Sequence, residues 1–93
     1  MSTNQTSRQS SFEEIKSAAE AGDAASQCYI GICYQTGQGV AQDYVAAHKW
    51  FNLAALRGSD IAKNWRNQIA EEMNAGQIAQ AQKLAREWLN IFK

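Results

Sequence analysis

Three features of this 93-residue sequence could take part in chemistry. Gly37 and Gly39 form a Gly-x-Gly pair, and Cys28 and His48 are candidates for nucleophilic or acid–base work. A phosphate-binding glycine loop follows a strand and needs further partner residues. Gly37 instead ends a helical pattern, and no Lys-Ser/Thr pair follows it. We therefore expect the two glycines to form a corner between helices.

The cysteines and the histidine show no spacing that predicts a catalytic or metal site. Cys28 and Cys33 point in different directions on one helix, and a disulfide between them would break that helix. We expect two reduced, packed thiols. No basic neighbour in the local sequence would lower the pKa of Cys28, and we expect His48 to be at the surface or half-buried. The sequence predicts no enzyme, no metal and no cofactor.

The composition excludes several classes of partner. Nine basic and nine acidic residues give zero net charge, which supplies no field to attract nucleic acid or a membrane surface. No apolar run is long enough to span a membrane, and the polar start lacks the apolar core of a signal peptide. We expect a cytoplasmic protein whose residues 1–10 are a disordered polar tail.

The absence of proline, the capping residues and the glycines predict about five helices. Ser11 with Glu14 is a capping box that would begin the first helix. The second helix is expected over residues 24–36. The remaining signals are helix starts at Asp23, Asp43, Ser59 and the Asn74–Gln77 capping box, and helix stops at Gly22, Gly37 and Gly58.

Each predicted helix carries one stripe at helical spacing, which we expect to face the core. Gly31 lies inside such a stripe, where glycine costs helix stability, so we expect a close neighbouring helix to compensate. The stripes, helix by helix, are Phe12, Ile15, Ala18 and Ala19; Gln27, Ile30, Gly31 and Tyr34; Tyr44, Ala47, Trp50, Phe51, Ala54 and Ala55; Ala62, Trp65, Ile69 and Met73; and Ile78, Ala81, Leu84, Ala85, Trp88 and Ile91.

A repeat appears when the sequence is shifted by 36 residues: "AAEAGDAAS" (18–26) aligns with "AALRGSDIA" (54–62). Gly22 then aligns with Gly58, and Tyr29 aligns with Trp65. Helix, glycine stop, polar cap and helix recur in each half, as a stack of antiparallel αα-hairpins requires. The sequence predicts an all-α fold, a short α/α superhelix.

Residues 24–58 resemble the Sel-one-like repeat, a relative of the tetratricopeptide repeat. The resemblance implies a single domain over 11–93, with a complete repeat at 23–58. Residues 59–93 are similar to the C-terminal capping segment of bacterial members. The positions that match the family pattern are Ala24, Gln27, Gly31, Tyr34, Gly37, Gly39, Val40, Asp43, Ala47, Trp50, Ala54, Ala55 and Gly58.

The resemblance implies a non-catalytic adaptor that binds a peptide or helix of another protein in a concave groove. The groove would be lined by the first helix of each pair, at Ala25, Cys28, Ile32, Gln35, Ile61, Asn64, Gln68 and Glu71. Alternatively, Ile32 and Ile61 merely pack on flanking helices.

Two other functions stay open. One is a small hydrolase or redox protein that uses Cys28 or His48. The other is a fragment of a larger repeat protein that self-associates through an open end of the stack. We expect a monomer or weak self-association.

Overall fold

The computed structural model describes residues 4–91, and within that range it is all-α. The helices are α1 (Asn4–Glu20), α2 (Ala24–Thr36), α3 (Tyr44–Leu56), α4 (Asp60–Ala70) and α5 (Ala75–Ile91). No strand occurs among the described residues. The predicted fold class is confirmed, and α2 has the predicted bounds.

The first helix begins earlier than the capping box predicted. Residues 4–10 are already helical, so α1 begins at Asn4 and Ser11 lies inside it. The helix start predicted at Ser11 is wrong. Residues 4–10 contain no glycine or proline that would stop a helix from continuing in the N-terminal direction. Residues 1–3 lie outside the described range, and the division into a tail at 1–10 and a domain at 11–93 stays a prediction.

The other four helices begin at the predicted caps. The side chains of Asp23, Asp43 and Ser59 each accept a hydrogen bond from the backbone N–H three residues later, at 2.9, 3.1 and 3.1 Å. Asn74 and Gln77 bond reciprocally: each side-chain oxygen accepts the other residue's backbone N–H, at 2.8 and 2.9 Å. These bonds satisfy N–H groups that the helix itself leaves without partners.

Gly22 and Gly58 end α1 and α3 in the same way, which supports the 36-residue repeat. Their φ angles are +105° and +100°, in the left-handed region that favours glycine. After α3, Gly58 N–H donates to Ala55 and Ser59 N–H donates to Ala54, at 2.9 and 3.1 Å. The same pair of bonds closes α1, so both turns are Schellman motifs.

The helices pack in chain order: α1 lies against α2, α2 against α3, and α3 against both α4 and α5. The buried side chains form two clusters. The first cluster is Cys28, Ala47, Phe51, Ala54, Ala62, Ile69, Met73 and Ala81. The second cluster is Phe12, Ala19, Ile30, Cys33, Trp50, Leu53 and Ala85.

The contact between α2 and α3 is closest at Gly31. A Cβ atom at Gly31 would lie 2.5 Å from Cε1 of Phe51, much nearer than a van der Waals contact. Phe51 is fully buried, and its ring stacks on Trp65 at a centroid distance of 6.1 Å. The expectation that Gly31 allows a neighbouring helix to approach is confirmed.

The predicted stripes lie mostly in the core, and Ile91 and Leu53 are two of the differences. Ile91 is 74% exposed at the end of α5, so its predicted place in the core is wrong. Leu53 is buried beside Trp50 in the second cluster, although it lay outside the predicted α3 stripe. α3 needs a wider apolar face than one stripe because it packs against three helices.

Candidate functional site

The Gly37–Asp43 corner is built to close helix α2. Gly37 has a φ of +79° and its backbone N–H donates to Cys33 O at 2.8 Å. Asp43 N–H donates to Tyr34 O at 2.8 Å. Since these N–H groups bond to carbonyls at the end of α2, they are not available to an anion. The prediction of a structural corner is confirmed.

The corner also packs against the first helix. A Cβ atom at Gly39, where φ is +74°, would lie 3.5 Å from Cβ of Phe12. Val40 packs against the second cluster, which contains Phe12. The loop thus closes the α2–α3 hairpin and covers part of α1 at the same time.

Both cysteines are buried free thiols in the core, as expected of packed cysteines. Cys28 lies in the first cluster and Cys33 in the second. Burial raises the pKa of both thiols above the ordinary value. A thiol that stays protonated is a poor nucleophile and a poor metal ligand.

His48 is in the interior, so the expectation of a surface or half-buried histidine is wrong. It is 3% exposed, and its Nδ1 atom has no hydrogen-bond partner among the described residues. Burial, and after it the positive charge of Arg66, lower the pKa of the imidazole. Arg66 is held on α4, where its guanidinium donates to Asn52 Oδ1 of α3 at 2.9 Å.

The groove residues predicted on α2 divide into two groups. Ala25 is exposed, whereas Cys28 is buried and Ile32 packs against the first cluster. Gln35 is half-buried, and its Oε1 is buried without a partner among the described residues. The expectation that Cys28 faces the groove is therefore wrong, because that side of α2 packs in the cluster that includes Ala62 of α4.

The groove residues predicted on the fourth helix are all exposed: Ile61, Asn64 and Gln68 lie on α4, and Glu71 is its C-cap. Ile61 is 66% exposed, a large value for an isoleucine. On α2, the corresponding Cys28 and Ile32 are covered by neighbouring helices. Within residues 4–91, no later helix covers the side of α4 that carries Ile61, Asn64 and Gln68. The positions that correspond to Cys28 and Ile32 are the polar Asn64 and Gln68.

The side chains of α2 and of the corner after it carry no charge. Residues 24–42 contain no Asp, Glu, Lys, Arg or His. On this helix Tyr29, 45% exposed, was missed as a surface candidate. Its signal was present in the sequence, because Tyr29 aligns with Trp65 in the repeat and lies one turn from Ala25.

The described residues show neither a metal site nor a membrane span. No group of three or more His, Cys, Asp or Glu side chains within residues 4–91 could hold a metal ion. None of the helices in that range combines the length and apolar character needed to cross a bilayer.

The helices pair in antiparallel hairpins, turn at matched glycines and bury their stripes between hairpins. This arrangement defines a short α-solenoid. The Sel1 repeat family model matches residues 24–59. Residues 24–59 therefore resemble a Sel1 repeat, and the fold is similar to the Sel1-like repeat (SLR) fold of a solved protein.

A solved structure supports this assignment. It is described as c5321, a protective antigen present in uropathogenic Escherichia coli strains that displays an SLR fold. The two chains share 31% sequence identity with a TM-score of 0.84 over 89% of the present chain, which spans only 18% of that protein. A comparison with curated proteins finds no match. Sel1 repeats form helical modules for protein–protein interaction and are typically non-catalytic scaffolds.

Proposed function

We propose that this chain is a non-catalytic adaptor that binds a peptide or helix of another protein across the exposed faces of α2 and α4. Ala25 and Ile61, which are equivalent in the 36-residue repeat, form the centre of this surface. The remaining predicted groove residues that are exposed, on α4, are polar and can form hydrogen bonds with a bound polypeptide. The bacterial origin and the cytoplasmic location stay predictions.

The observation that carries the proposal is the exposure of Ile61, and the absence of charge on α2 supports it. An isoleucine that is 66% exposed gains little from folding, whereas covering it with a partner would bury apolar surface. Residues 24–36 of α2 contain no charged side chain, so a polypeptide bound over this helix would bury no unpaired charge. Small, apolar and amide side chains suit a helix or peptide laid along the surface.

No observation favours the hydrolase or redox alternative. Cys28 and His48 are both buried, and burial moves the pKa of each group in the direction that keeps it neutral. Cys28 thus lacks the thiolate that an activated nucleophile requires.

The test compares two exposed aliphatic residues near the same turn. Ile61→Glu changes the proposed surface, and Leu56→Glu is the matched control, because Leu56 is 62% exposed at the end of α3. Affinity capture from native lysate, with mass spectrometry, is performed with the original chain and both variants. We expect Ile61→Glu to reduce recovery of the specific partner about tenfold, as loss of a central apolar contact does.

Leu56→Glu should recover the same partner as the original chain, and circular dichroism should show both variants equally helical. Equal recovery with Ile61→Glu would contradict the proposed surface. Ile32 is unsuitable for this test because it packs against the first cluster and its substitution would disturb folding.

A further inference from the structure

Helix α2 covers a surface that α3 and α4 make together. Gly31 lies against the ring of Phe51, and that ring stacks on Trp65 with an angle of 18° between the planes. Phe51 and Ala54 are fully buried, in the cluster against which Trp65 packs. An uncharged helix with a glycine at the closest approach thus covers this apolar face.

The repeat places an equivalent surface on α1 and α2. Shifted back by 36 residues, Phe51, Ala54 and Trp65 correspond to Ile15, Ala18 and Tyr29. Ile15 and Ala18 are half-buried, and Tyr29 is 45% exposed. Ile15 packs in part against the second cluster. Within residues 4–91 no helix covers Ala18 and Tyr29 as α2 covers their counterparts. We call this surface the N-terminal face.

Acidic side chains border the N-terminal face. Glu14 is exposed on α1, one turn before Ala18. Asp23 is exposed at the start of α2, where its carboxylate accepts hydrogen bonds from the backbone N–H and the hydroxyl of Ser26 at 2.9 and 2.6 Å. The guanidinium of Arg57 lies beside the preceding Gly22. Hydrogen bonding to Ser26 lowers the pKa of Asp23, so this carboxylate is charged at neutral pH. A bound helix with Lys or Arg at its edges would complement it.

We propose that the N-terminal face binds a basic amphipathic helix of another polypeptide, in the position that α2 occupies in the following hairpin. That helix carries a small residue at its closest approach and apolar residues in the adjacent turns, with basic residues at its edges. The inference does not depend on Ile61, because it rests on the repeat geometry and on the charges of Glu14 and Asp23.

A second copy of this chain fits the face poorly. Two such faces brought together would place their acidic borders against each other. In end-to-end stacking, α4 would be the covering helix, yet it carries Asn64 and Gln68 where α2 carries the apolar Cys28 and Ile32. Polar side chains at these positions would oppose an apolar contact.

The probe is a synthetic peptide copied from residues 24–36, with both cysteines replaced by alanine, lysines added at each end, and a fluorescent label. A matched peptide carries glutamates in place of the lysines. Fluorescence anisotropy measures binding of each peptide to the full chain. We expect the lysine peptide to bind more tightly than the glutamate peptide, with an affinity that falls as salt rises.

Tyr29→Ala should weaken binding of the lysine peptide about tenfold, the usual scale for loss of a central aromatic contact. Leu89→Ala on α5 is the matched control, because Leu89 is 39% exposed, and it should leave binding unchanged. Glu14→Lys removes no apolar contact and should also weaken binding of the lysine peptide. Ile61→Glu should not affect it, which separates this inference from the proposed adaptor surface.

Three results would each overturn the inference: no binding of the lysine peptide, equal binding of the two peptides, or unchanged binding by both Tyr29→Ala and Glu14→Lys. Sedimentation analysis of the chain alone tests whether a second copy occupies the face. A dimer that Tyr29→Ala abolishes would assign the N-terminal face to a second copy instead.

Discussion

Replacing Gly31 with alanine tests the close contact between α2 and the ring of Phe51. Alanine is the better helix former, and an alanine in the middle of an isolated helix would be stabilising by about 1 kcal/mol relative to glycine. The added methyl group would, however, lie 2.5 and 2.6 Å from two ring carbons of Phe51. The two effects have opposite signs, so the direction of the change depends on whether the ring can move.

The surroundings of Phe51 indicate that the ring cannot move freely. It is fully buried, and Trp65 stacks against it. Overpacking a filled core costs about 1–3 kcal/mol, and a ring held on both sides places this site in the upper half of that range. After the gain in helix propensity, we expect Gly31→Ala to lower the free energy of unfolding by about 1–2 kcal/mol. For a chain of this size the midpoint temperature should fall by roughly 5–15 °C.

The measurement is chemical and thermal unfolding followed by circular dichroism, with Gly76→Ala as the matched control. Gly76 lies in the first turn of α5, and the nearest atom to an added Cβ is Asn74 Oδ1 at 3.4 Å. That substitution should leave stability unchanged or raise it slightly. A Gly31→Ala variant as stable as the original chain would refute the reasoning from the Phe51 contact.

A double-mutant cycle sharpens the same test. Phe51→Leu should be destabilising by itself, because it removes part of a fully buried ring. In the Gly31→Ala background it should cost less, since the smaller side chain relieves the overlap, with a coupling energy of about 0.5 kcal/mol or more. Additive effects would show that the methyl group and the ring do not collide.

Two further predictions concern an interior base and a helix cap. His48 has a pKa below its ordinary value in the folded chain, so protonation favours unfolding. The contribution of His48 to the free energy of unfolding should be fully present above the unfolded pKa of about 6.5 and should be lost as the pH falls below it. The free energy of unfolding at pH 7.5 and at pH 5.5 measures this loss. His48→Phe introduces the residue type found at the equivalent Phe12, and it should remove the contribution of His48 to the difference between the two pH values. In the α5 capping box, Asn74→Ala should lower the free energy of unfolding by about 1 kcal/mol. Adding Gln77→Ala to Asn74→Ala should cost less than Gln77→Ala alone, because the two hydrogen bonds are reciprocal; strictly additive losses by denaturant titration would contradict that coupling.

The sequence was sufficient where the signal is local. Asp23, Asp43 and Ser59 cap helices because a short polar side chain reaches the backbone N–H three residues ahead, whatever the rest of the fold does. Gly22 and Gly58 end helices because the left-handed turn costs glycine little. Two of these signals repeat at a spacing of 36 residues, Gly22 with Gly58 and Asp23 with Ser59, and this repetition predicted the stacked hairpins. The class of repeat was predicted from the resemblance of residues 24–58 to the Sel-one-like repeat.

The tertiary structure decided which side of each helix is covered. Periodicity shows that α2 has an apolar face but does not show that α4 and its neighbours bury the adjacent side, which is why Cys28 was assigned to the groove. His48 is buried and Ile91 exposed for the same reason: burial depends on which helix lies opposite, a property of the packing that no local pattern records. The exposed sites at Ile61 and Tyr29 likewise exist because no helix in the described chain packs over them.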